Sequence, residues 1–453
     1  MVMSEKSIFV IIIGILLNIQ VFAADWPQWR GPNRDGVWRE KGIVQKFAEK
    51  QLPIRWRVKI ANGYSGPTVA KGRVYVTDRL TSPSPSPRPS NMGRGSEGRG
   101  SPNEVERIHC FDAMTGERIW SHTYECKYKK VGYPNGPRAA VNINEGRAYS
   151  LGTMGHLFCL DAAKGDVLWS KDLYTEYKIR MPIWGIAASP LVEKGLVIVQ
   201  IGGKDNACLV AFDKVTGEEK WRALNDKASY SAPIIIEQAG KRVLVCLTGD
   251  RIVGLDPLSG KLYWQHPFTP FREVISIATP VFQNQYLFIS SFYDGSLLLK
   301  VNLNKLAVEK VWSRKGLSEK NTDSLHCCIS TPVLQGDYIY GVDSYGELRC
   351  LERDTGDRIW ESLDAVPKDR WSNIHMVRHE DKIWMFNERG ELIISKLSSK
   401  GFHEISRTKL IEPTKGQLNQ RGGVCWSHPA FADKHIYIRN DEELVCADLS
   451  VKK

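Results

Sequence analysis

The 453-residue sequence lacks the signatures that would assign a common reaction. It contains no nucleophile elbow, no Walker phosphate loop and no paired zinc-ligand spacing. Its formal net charge is +11, but the basic residues are scattered rather than clustered. We interpret them as solvated surface with some attraction for anionic partners, and we expect no nucleic-acid partner.

Long hydrophobic runs are also absent, apart from residues 8–22, which are too few to favour a membrane span. Lys6 precedes this run, and Val21 and Ala23 occupy the small-residue positions before a cleavage point. We therefore predict a signal peptide over residues 1–23, cleaved after Ala23, which would leave no transmembrane anchor in a periplasmic or secreted chain. An uncleaved anchor is the alternative, and no cysteine near the cleavage point offers a site for lipid attachment.

Cysteines are not few, but their placement argues against a disulfide framework. Four of the ten fall at one repeat position inside a predicted strand, namely Cys110, Cys159, Cys350 and Cys446. This placement favours small buried hydrophobic side chains over a set of bonded pairs.

Glycine (38 residues) and tryptophan (14 residues) are abundant, and they recur in one pattern. The pattern is an apolar strand, an acid, three residues, Gly, three residues and Trp. Clear copies place the acid at positions 112, 161, 213, 256 and 352. Degenerate copies place Asn304 before Trp312, and Leu397 before Gly401 and Ile405, and a final copy begins at Asp448. Eight units spaced by 43 to 52 residues match one four-stranded propeller blade each.

The residue types of this pattern fit a hairpin that docks on its neighbour. Asp112 can accept turn N–H groups, and Gly116 permits the positive φ that tight hairpins need. Trp120 then falls on one face of the outer strand and can pack against the next blade. Its burial would contribute at most about 4–6 kcal/mol, from roughly 150–250 Å² at about 25 cal/mol per Å². We expect this docking role at Trp56, Trp120, Trp169, Trp221, Trp264, Trp312 and Trp360.

The predicted fold is all-β, an eight-bladed β-propeller of four-stranded antiparallel blades over residues 53–449. The last unit has no outer strand of its own, so we expect residues 53–60 with Trp56 to close the ring as the fourth strand of the last blade. Residues 24–52 form an N-terminal extension that includes WPQWRGPNRDG. Residues 81–104 are rich in Pro, Gly, Ser and Arg and are predicted to be a disordered loop between the second and third strands of the first blade.

The acid–Gly–Trp repeat resembles the tryptophan-docking motif of the pyrroloquinoline quinone (PQQ) repeat family. The opening WPQWRGPNRDG is also similar to the mature start of exported propellers. This family includes quinoprotein dehydrogenases and a lipid-anchored scaffold of outer-membrane protein assembly. In the dehydrogenase branch, the resemblance implies PQQ over the propeller axis, Ca²⁺ held by carboxylate and amide oxygens, an Asp base, and a vicinal disulfide against the cofactor.

The loops that enter the innermost strands should converge on one mouth of the channel. Alignment on their Ser/Thr–x–Pro steps gives a lining of Tyr64, Ser65, Arg138, Trp184, Tyr230, Ser231, His326, Trp371, His375, Trp426 and His428. This set is aromatic and cationic, with only Glu273 and Asp323 in the neighbourhood. It suits a Ca²⁺ cage poorly and offers no obvious Asp base, but it suits a planar or anionic ligand, a sugar or a peptide.

Each candidate also has a structural interpretation. The mouth tryptophans could simply plug the channel, and Arg138 could donate to loop carbonyls. The three histidines belong to different blades, and their spacing is not diagnostic of a metal site. Cys327 and Cys328 could form a strained vicinal disulfide at the mouth, as the dehydrogenase resemblance suggests, or could be adjacent by chance.

Two main functions remain open from the sequence. The first is an exported, non-catalytic scaffold of the cell envelope that binds an envelope protein or a small molecule. The alternative is a PQQ-dependent oxidoreductase acting on an alcohol or sugar, and a hydrolase or lyase without a recognisable motif is a third class. The residues assign no cofactor by themselves, the resemblance leaves PQQ with Ca²⁺ open, and we expect a monomer.

Overall fold

The computed structural model describes residues 24–48, 52–81 and 104–451. These residues form eight four-stranded antiparallel sheets, which confirms the predicted eight-bladed propeller. The predicted signal peptide and most of the predicted loop lie outside the described residues. The two ends of that loop, Thr81 and Glu104, are paired strand residues of the first blade.

Each blade is built from strands that follow one another along the chain. Blades 1 to 4 contain β2 Thr68–Ala70, β3 Arg73–Thr81, β4 Glu104–Asp112, β5 Arg118–Glu125; β6 Asn142–Asn144, β7 Arg147–Leu151, β8 His156–Asp161, β9 Val167–Asp172; β10 Leu191–Glu193, β11 Leu196–Gln200, β12 Leu209–Asp213, β13 Glu219–Ala223; and β14 Ile234–Gln238, β15 Lys241–Leu247, β16 Arg251–Leu255, β17 Leu262–Pro267.

Blades 5 to 8 repeat this order, and the last takes its outer strand from the start of the chain. They contain β18 Val281–Gln283, β19 Tyr286–Ser291, β20 Gly295–Val301, β21 Val308–Arg314; β22 Val333–Gln335, β23 Tyr338–Val342, β24 Leu348–Glu352, β25 Arg358–Ser362; β26 Ile374–His379, β27 Lys382–Asn387, β28 Glu391–Ser398, β29 Gly401–Lys409; and β30 Ala430–Ala432, β31 His435–Arg439, β32 Glu443–Asp448 with β1 Ile54–Lys59.

The ring closes as predicted, because β1 pairs antiparallel with β32 and places Trp56 opposite Cys446. Helix is nearly absent from the described residues, where α1 spans Leu173–Glu176. None of the helical structure in these ranges is long and apolar enough to cross a membrane.

The repeated turn explains both the acid and the glycine. The Oδ1 atom of Asp112 accepts hydrogen bonds from the backbone N–H groups of Met114 (2.8 Å) and Thr115 (2.9 Å). Gly116 has a φ of +75°, and a Cβ built on it would lie 2.8 Å from the Trp56 ring of the preceding blade. A side chain at this position would therefore be strained by its backbone conformation and would also collide with the indole.

The same indole makes a hydrogen bond to the next blade. Trp56 Nε1 donates to the carbonyl of Ala113, directly after the acid, at 3.0 Å. The equivalent bonds run from Trp120 to Ala162 (3.1 Å), Trp169 to Lys214 (3.3 Å), Trp221 to Pro257 (3.1 Å), Trp312 to Arg353 (2.7 Å) and Trp360 to Ser398 (2.8 Å). Each buried or half-buried tryptophan thus satisfies its polar atom while it joins two blades.

Between blades 4 and 5 a glutamine carries this connection. Trp264 Nε1 donates to Gln238 Oε1 at 2.8 Å, within its own blade. Gln238 Nε2 then donates to carbonyls in the next turn, including Ala307 O at 2.7 Å and Lys305 O at 3.0 Å. The amide therefore relays the inter-blade bond across a turn of different shape.

Two positions predicted for the degenerate units were wrong. Asn302, not Asn304, caps the blade 5 turn, because its Oδ1 accepts from the N–H groups of Asn304 (2.9 Å) and Lys305 (3.0 Å). In blade 7, Ser406 rather than Ile405 occupies the tryptophan position, since it pairs across the strand bulge as each docking tryptophan does. The hairpin lengths of these units differ from the consensus, so fixed offsets misplace their residues.

The N-terminal extension occupies the interface that lacks a docking tryptophan. The N–H of Phe47 donates to Ser406 Oγ at 3.1 Å, and the N–H of Val44 donates to Leu449 O at 2.9 Å. Leu449 follows the acid Asp448, so its carbonyl is the one that receives an indole N–H elsewhere in the ring. The buried Phe47 ring packs edge-on against Trp384, with ring centroids 6.0 Å apart.

Earlier in the extension, residues 26–38 lie across the innermost strands, and we term this segment the plug. Trp26 exchanges two backbone hydrogen bonds with Val69 of blade 1, at 2.8 and 2.9 Å. Trp38 N–H donates to Arg378 O of blade 7 at 2.8 Å. Between these ends, the Arg34 guanidinium donates to carbonyls of blades 3 and 4, among them Pro233 O at 3.1 Å. The plug therefore ties distant blades together across the axis.

Replacement of Phe47 by Ala is expected to lower the free energy of unfolding by about 3 kcal/mol. The substitution would leave a cavity between blades 7 and 8, where Phe47 stands in for a docking tryptophan. Urea denaturation followed by tryptophan fluorescence measures the change.

The matched control is Phe271→Ala, because the Phe271 side chain is 70% exposed and its removal should change stability by no more than about 0.5 kcal/mol. Equal stability of the two variants would show that the extension does not brace this interface.

Candidate functional site

An aromatic cavity of about 160 Å³ lies on the propeller axis, against the plug, and we term it the axial cup. Its walls come from the segments that lead into the innermost strands, with a contribution from the plug itself. The lining residues are Trp29, Tyr64, Tyr133, Arg138, Trp184, Ala187, Ser189, Tyr230, Ala232, Ile277, Cys328, Ile329, Trp371, His375, Trp426 and His428. The convergence of loops expected from the sequence is therefore present.

Of the eleven residues predicted to line the mouth, the structure brings together eight, which are Tyr64, Arg138, Trp184, Tyr230, Trp371, His375, Trp426 and His428. It places His326 outside the lining, where its Nε2 accepts the N–H of Gly316 at 3.1 Å and its Nδ1 lies 3.0 Å from Phe292 O. Ser65 and Ser231 are buried and bond to backbone carbonyls. These three side chains hold loops in place.

Sequence reasoning missed two aromatic members of the cup. Trp29 belongs to the plug, and its Nε1 donates to Thr279 Oγ1 at 2.8 Å. Its ring packs edge-on against His428, with ring centroids 4.5 Å apart. Tyr133 comes from the connection between blades 1 and 2 and contacts Trp184, Trp371 and Trp426, with ring centroids 6.1 to 6.4 Å apart. The WPQWRGPNRDG segment was a signal for Trp29, because it lies outside the blade pattern, but Tyr133 had none.

The indole of Trp426 is held by a buried ion pair. Its Nε1 donates to Glu388 Oε2 at 3.1 Å, and the same oxygen accepts from Arg421 Nη2 at 2.9 Å. Its backbone N–H donates to Gln417 Oε1 at 2.6 Å. Burial raises the pKa of Glu388, and the guanidinium and the indole N–H act in the opposite direction. This bonding fixes the ring in one orientation.

Trp371 and Trp184 are also positioned by their neighbours. Trp371 adopts a positive φ of 68°, and the Arg370 guanidinium lies 4.3 Å from the centroid of its ring. Arg370 in turn pairs with Glu319 at 2.6 Å. Trp184 lies 5.2 Å from the Tyr230 ring, whose hydroxyl accepts its backbone N–H at 3.2 Å. The cup walls are thus preorganised rather than formed by loose side chains.

Arg138 provides the cationic group of the lining. Its guanidinium donates to the carbonyls of Gly136 (2.5 Å), Gly132 (3.0 Å) and Tyr133 (2.6 Å). It also lies 4.9 Å from the centroid of the Tyr64 ring. Arg138 therefore orders the loop, as one sequence-based interpretation held, and brings a positive charge to the cup.

The two histidines of the cup are neutral near pH 7. Burial lowers the pKa of His375 to about 4, and burial together with His375 lowers the pKa of His428 to about 3. His375 Nε2 lies 2.8 Å from Trp426 O, which suits an N–H donor at that atom. The imidazoles add polar edges but no charge to the lining.

The adjacent cysteines are both thiols in the structure. Cys328 lines the cup beside Trp184 and Trp371, whereas Cys327 packs in the hydrophobic core next to Leu325. Burial raises the pKa of each thiol to about 12. Neither thiol is activated as a nucleophile at neutral pH.

The cup does not fit a calcium-bound PQQ. Ca²⁺ prefers six to eight oxygen ligands, several of them carboxylates, but the lining contributes no carboxylate or side-chain amide. Asp323 pairs instead with Arg314 at 3.0 Å, and Glu273 is not part of the lining. Across the described ranges, no group of three or more His, Cys, Asp or Glu residues could hold a metal ion.

Comparison with known proteins identifies a family whose model matches more than half of the chain. A family model described as outer membrane protein assembly factor BamB matches residues 104–362. A quinohemoprotein alcohol dehydrogenase of Comamonas testosteroni is 32% identical over 133 residues, which cover 28% of this chain and 18% of that protein. The outer membrane protein assembly factor BamB of Burkholderia pseudomallei is 29% identical over 173 residues, which cover 37% of this chain and 38% of that protein. The chain thus matches well under half the length of these curated relatives.

A solved structure shows the same architecture. The crystal structure of BamB from Moraxella catarrhalis superposes with a TM-score of 0.58 at 16% identity, and covers 89% of this chain and 99% of that one. At this identity the likeness shows the shared propeller fold.

Acid is expected to destabilise the protein partly through the two cup histidines. Because their pKa values lie below the value of about 6.5 for a solvated imidazole, the unfolded chain binds protons that the folded chain does not. The free energy of unfolding should therefore fall as the pH falls from about 6.5 to about 4, by up to about 1.4 kcal/mol per pH unit for each histidine. Thermal unfolding at a series of pH values measures this slope.

His375→Gln keeps a donor for Trp426 O and should reduce the slope, which would be clearest between pH 6.5 and 5. His403→Gln, at an exposed position of β29, is the control. A His375→Gln variant with the wild-type slope would contradict the assignment.

Proposed function

The chain belongs to the PQQ-repeat β-propeller family, and we propose that it is an exported, non-catalytic scaffold of the cell envelope that captures a ring-bearing ligand in the axial cup. The observation that carries this proposal is the composition of the cup. Aromatic rings form most of the lining, one arginine supplies the charge, and no carboxylate faces the cavity.

The titratable groups of the cup support binding rather than proton transfer. A general acid or base works best with a pKa near the operating pH. The histidines have pKa values of about 4 and about 3, and the Cys328 thiol has a pKa of about 12. Burial also raises the pKa of Tyr64 and Tyr230. All of these groups are poorly matched to catalysis near neutrality.

The size of the cup favours a small ring or the anchoring side chain of a larger partner. Ligand pockets for drug-sized molecules commonly enclose about 300–1,000 Å³, whereas the cup encloses about 160 Å³. Most of a large ligand would therefore remain outside. An aromatic side chain that enters a preorganised pocket is a common anchor of protein interfaces.

Two of the connections that supply cup residues also carry exposed apolar side chains, which supports a protein partner. Phe271 and Leu317 are 70% and 91% exposed, in the connections that lead into the innermost strands of blades 5 and 6. Lys315 Nζ lies 4.4 Å from the centroid of the Phe271 ring, so the apolar surface carries positive charge. Exposed aromatic and aliphatic groups with a polar rim are typical of interaction surfaces. The name of the matched family, an assembly factor of outer membrane proteins, supports the same assignment and the envelope location.

A PQQ-dependent oxidoreductase is the second candidate, because several relatives carry dehydrogenase names. We place the oxidoreductase second because the cup offers no carboxylate or side-chain amide to hold the Ca²⁺ that accompanies PQQ.

Titration of the purified protein with ring probes tests the scaffold against the enzyme. The probes are 3-phenylpropionate, 2-phenylethanol and PQQ with or without Ca²⁺, followed through quenching of the tryptophan emission of the protein. We expect saturable quenching by a ring carboxylate, because Arg138 and the aromatic walls can meet both of its parts. Dye reduction over a panel of alcohols and sugars should be absent, and Ca²⁺-dependent turnover with PQQ would overturn the scaffold.

Trp371→Leu should weaken binding of the quenching probe at least about tenfold, since it removes one stacking face of the cup. Trp360→Leu, at a docking position on an outer strand, is the matched control and should bind normally while it lowers thermal stability. The same loss of binding in both variants would place the probe outside the cup.

A further inference from the structure

A second cavity, separate from the axial cup, lies where the plug meets the innermost strands of blades 4 to 7. It encloses about 230 Å³ and is bordered by Arg30, Arg34 and Asp35 of the plug, and by Gln283 and Arg378 of the blades. We term it the basic cleft. Three guanidinium groups therefore border one small cavity together with a single carboxylate.

That carboxylate is already engaged. Asp35 Oδ2 pairs with Arg39 Nη2 at 2.5 Å, and Asp35 Oδ1 accepts the N–H of Val37 at 3.1 Å. Within the described part of the chain, Arg30, Arg34 and Arg378 form no ion pair with a carboxylate. Other half-buried arginines differ, as Arg251 does by pairing with Asp226 at 2.7 Å.

The three arginines do not play the same role. The Arg34 guanidinium is occupied by Gln28 Oε1 (2.8 Å) and by backbone carbonyls, so it fastens the plug to blades 3 and 4. Arg30 donates one hydrogen bond, to Asp35 O at 3.2 Å. Arg378 Nη1 donates to the amide oxygen of Gln283 at 3.0 Å. Arg30 and Arg378 therefore keep donors available for a ligand.

Burial makes this arrangement costly without a counter-charge. Burial lowers the pKa of Arg30 to about 10, where Asp35 acts in the opposite direction and Arg378 adds to the lowering. Burial also lowers the pKa of Arg378, again against the effect of Asp35. Like charges held close together in a half-buried cavity are stabilised when an anion binds between them.

We propose that the basic cleft binds a doubly charged oxyanion, a phosphate group or a dicarboxylate, between Arg30 and Arg378. The planar guanidinium group presents paired N–H donors that match the oxygens of both ligand classes. Three arginines and one aspartate give the border a formal charge of +2, which a dianion balances. Of the three, only Arg30 and Arg378 have donors to spare.

The proposal also accounts for a glycine of the WPQWRGPNRDG segment that the blade pattern does not explain. Gly36 has a φ of +66°, and a Cβ built on it would lie 2.5 Å from Arg30 Nη2. Glycine at this position leaves room for the guanidinium at the border of the cleft.

Isothermal titration calorimetry of the full chain with inorganic phosphate, succinate, acetate and chloride, at constant ionic strength and pH 7.5, tests the cleft. We expect saturable binding of phosphate or succinate and at least tenfold weaker binding of the two monoanions. Binding of phosphate but not succinate, or the reverse, would identify which class of oxyanion the cleft prefers. The absence of saturable binding by both dianions up to about ten millimolar would overturn the proposal.

The Arg30→Gln/Arg378→Gln double variant should bind the preferred dianion at least tenfold more weakly. Arg358→Gln, at an exposed position of β25, is the matched control and should bind as the wild type does. The single variants Arg30→Lys and Arg378→Lys keep the charge but lose the paired donors, so intermediate binding is expected if the double variant fails to fold. Undiminished binding in every cleft variant would refute the assignment.

Discussion

The fold depends on one contact that is repeated around most of the ring, the indole of an outer strand against the turn of the next blade. In five of these contacts the indole N–H donates to the carbonyl directly after the acid, while the ring covers a glycine that has no room for a Cβ, as Trp56 does at Ala113 and Gly116. Because the same group supplies apolar area and a satisfied polar atom, these docking indoles join the blades without leaving their own N–H groups unpaired. Ring closure by β1 extends this contact to the seam between the chain's two ends.

The irregular blades show how strongly that contact is required. Gln238 relays the bond where the blade 5 turn is longer, and Val44 and Phe47 replace it where blade 7 offers Ser406 instead of tryptophan. The N-terminal extension therefore completes an inter-blade interface and then supplies the plug. The interface between blades 7 and 8 and the two cavities therefore depend on the same N-terminal extension, whereas β1 closes the ring.

Sequence reasoning succeeded where the repeat constrains each position. Blade number, ring closure and the convergence of eight candidate residues on the axis all followed from residues at fixed offsets. It failed where the chain leaves the repeat: Asn304 and Ile405 were misplaced because hairpin lengths vary. Trp29 was missed because no periodicity predicts how an extension crosses the ring, and His326 turned inward to bond loop atoms instead of facing the cup.

The two cavities are linked through neighbouring residues of the plug. Trp29 lines the axial cup and Arg30 borders the basic cleft. Burial is the main cause of the low pKa values of His375 and His428, but the charge of Arg30 lowers both further. An oxyanion beside Arg30 would offset that contribution, so occupancy of the cleft would make the cup histidines easier to protonate. With the proposed oxyanion bound, the sequential neighbours Trp29 and Arg30 would therefore couple the two cavities through charge alone.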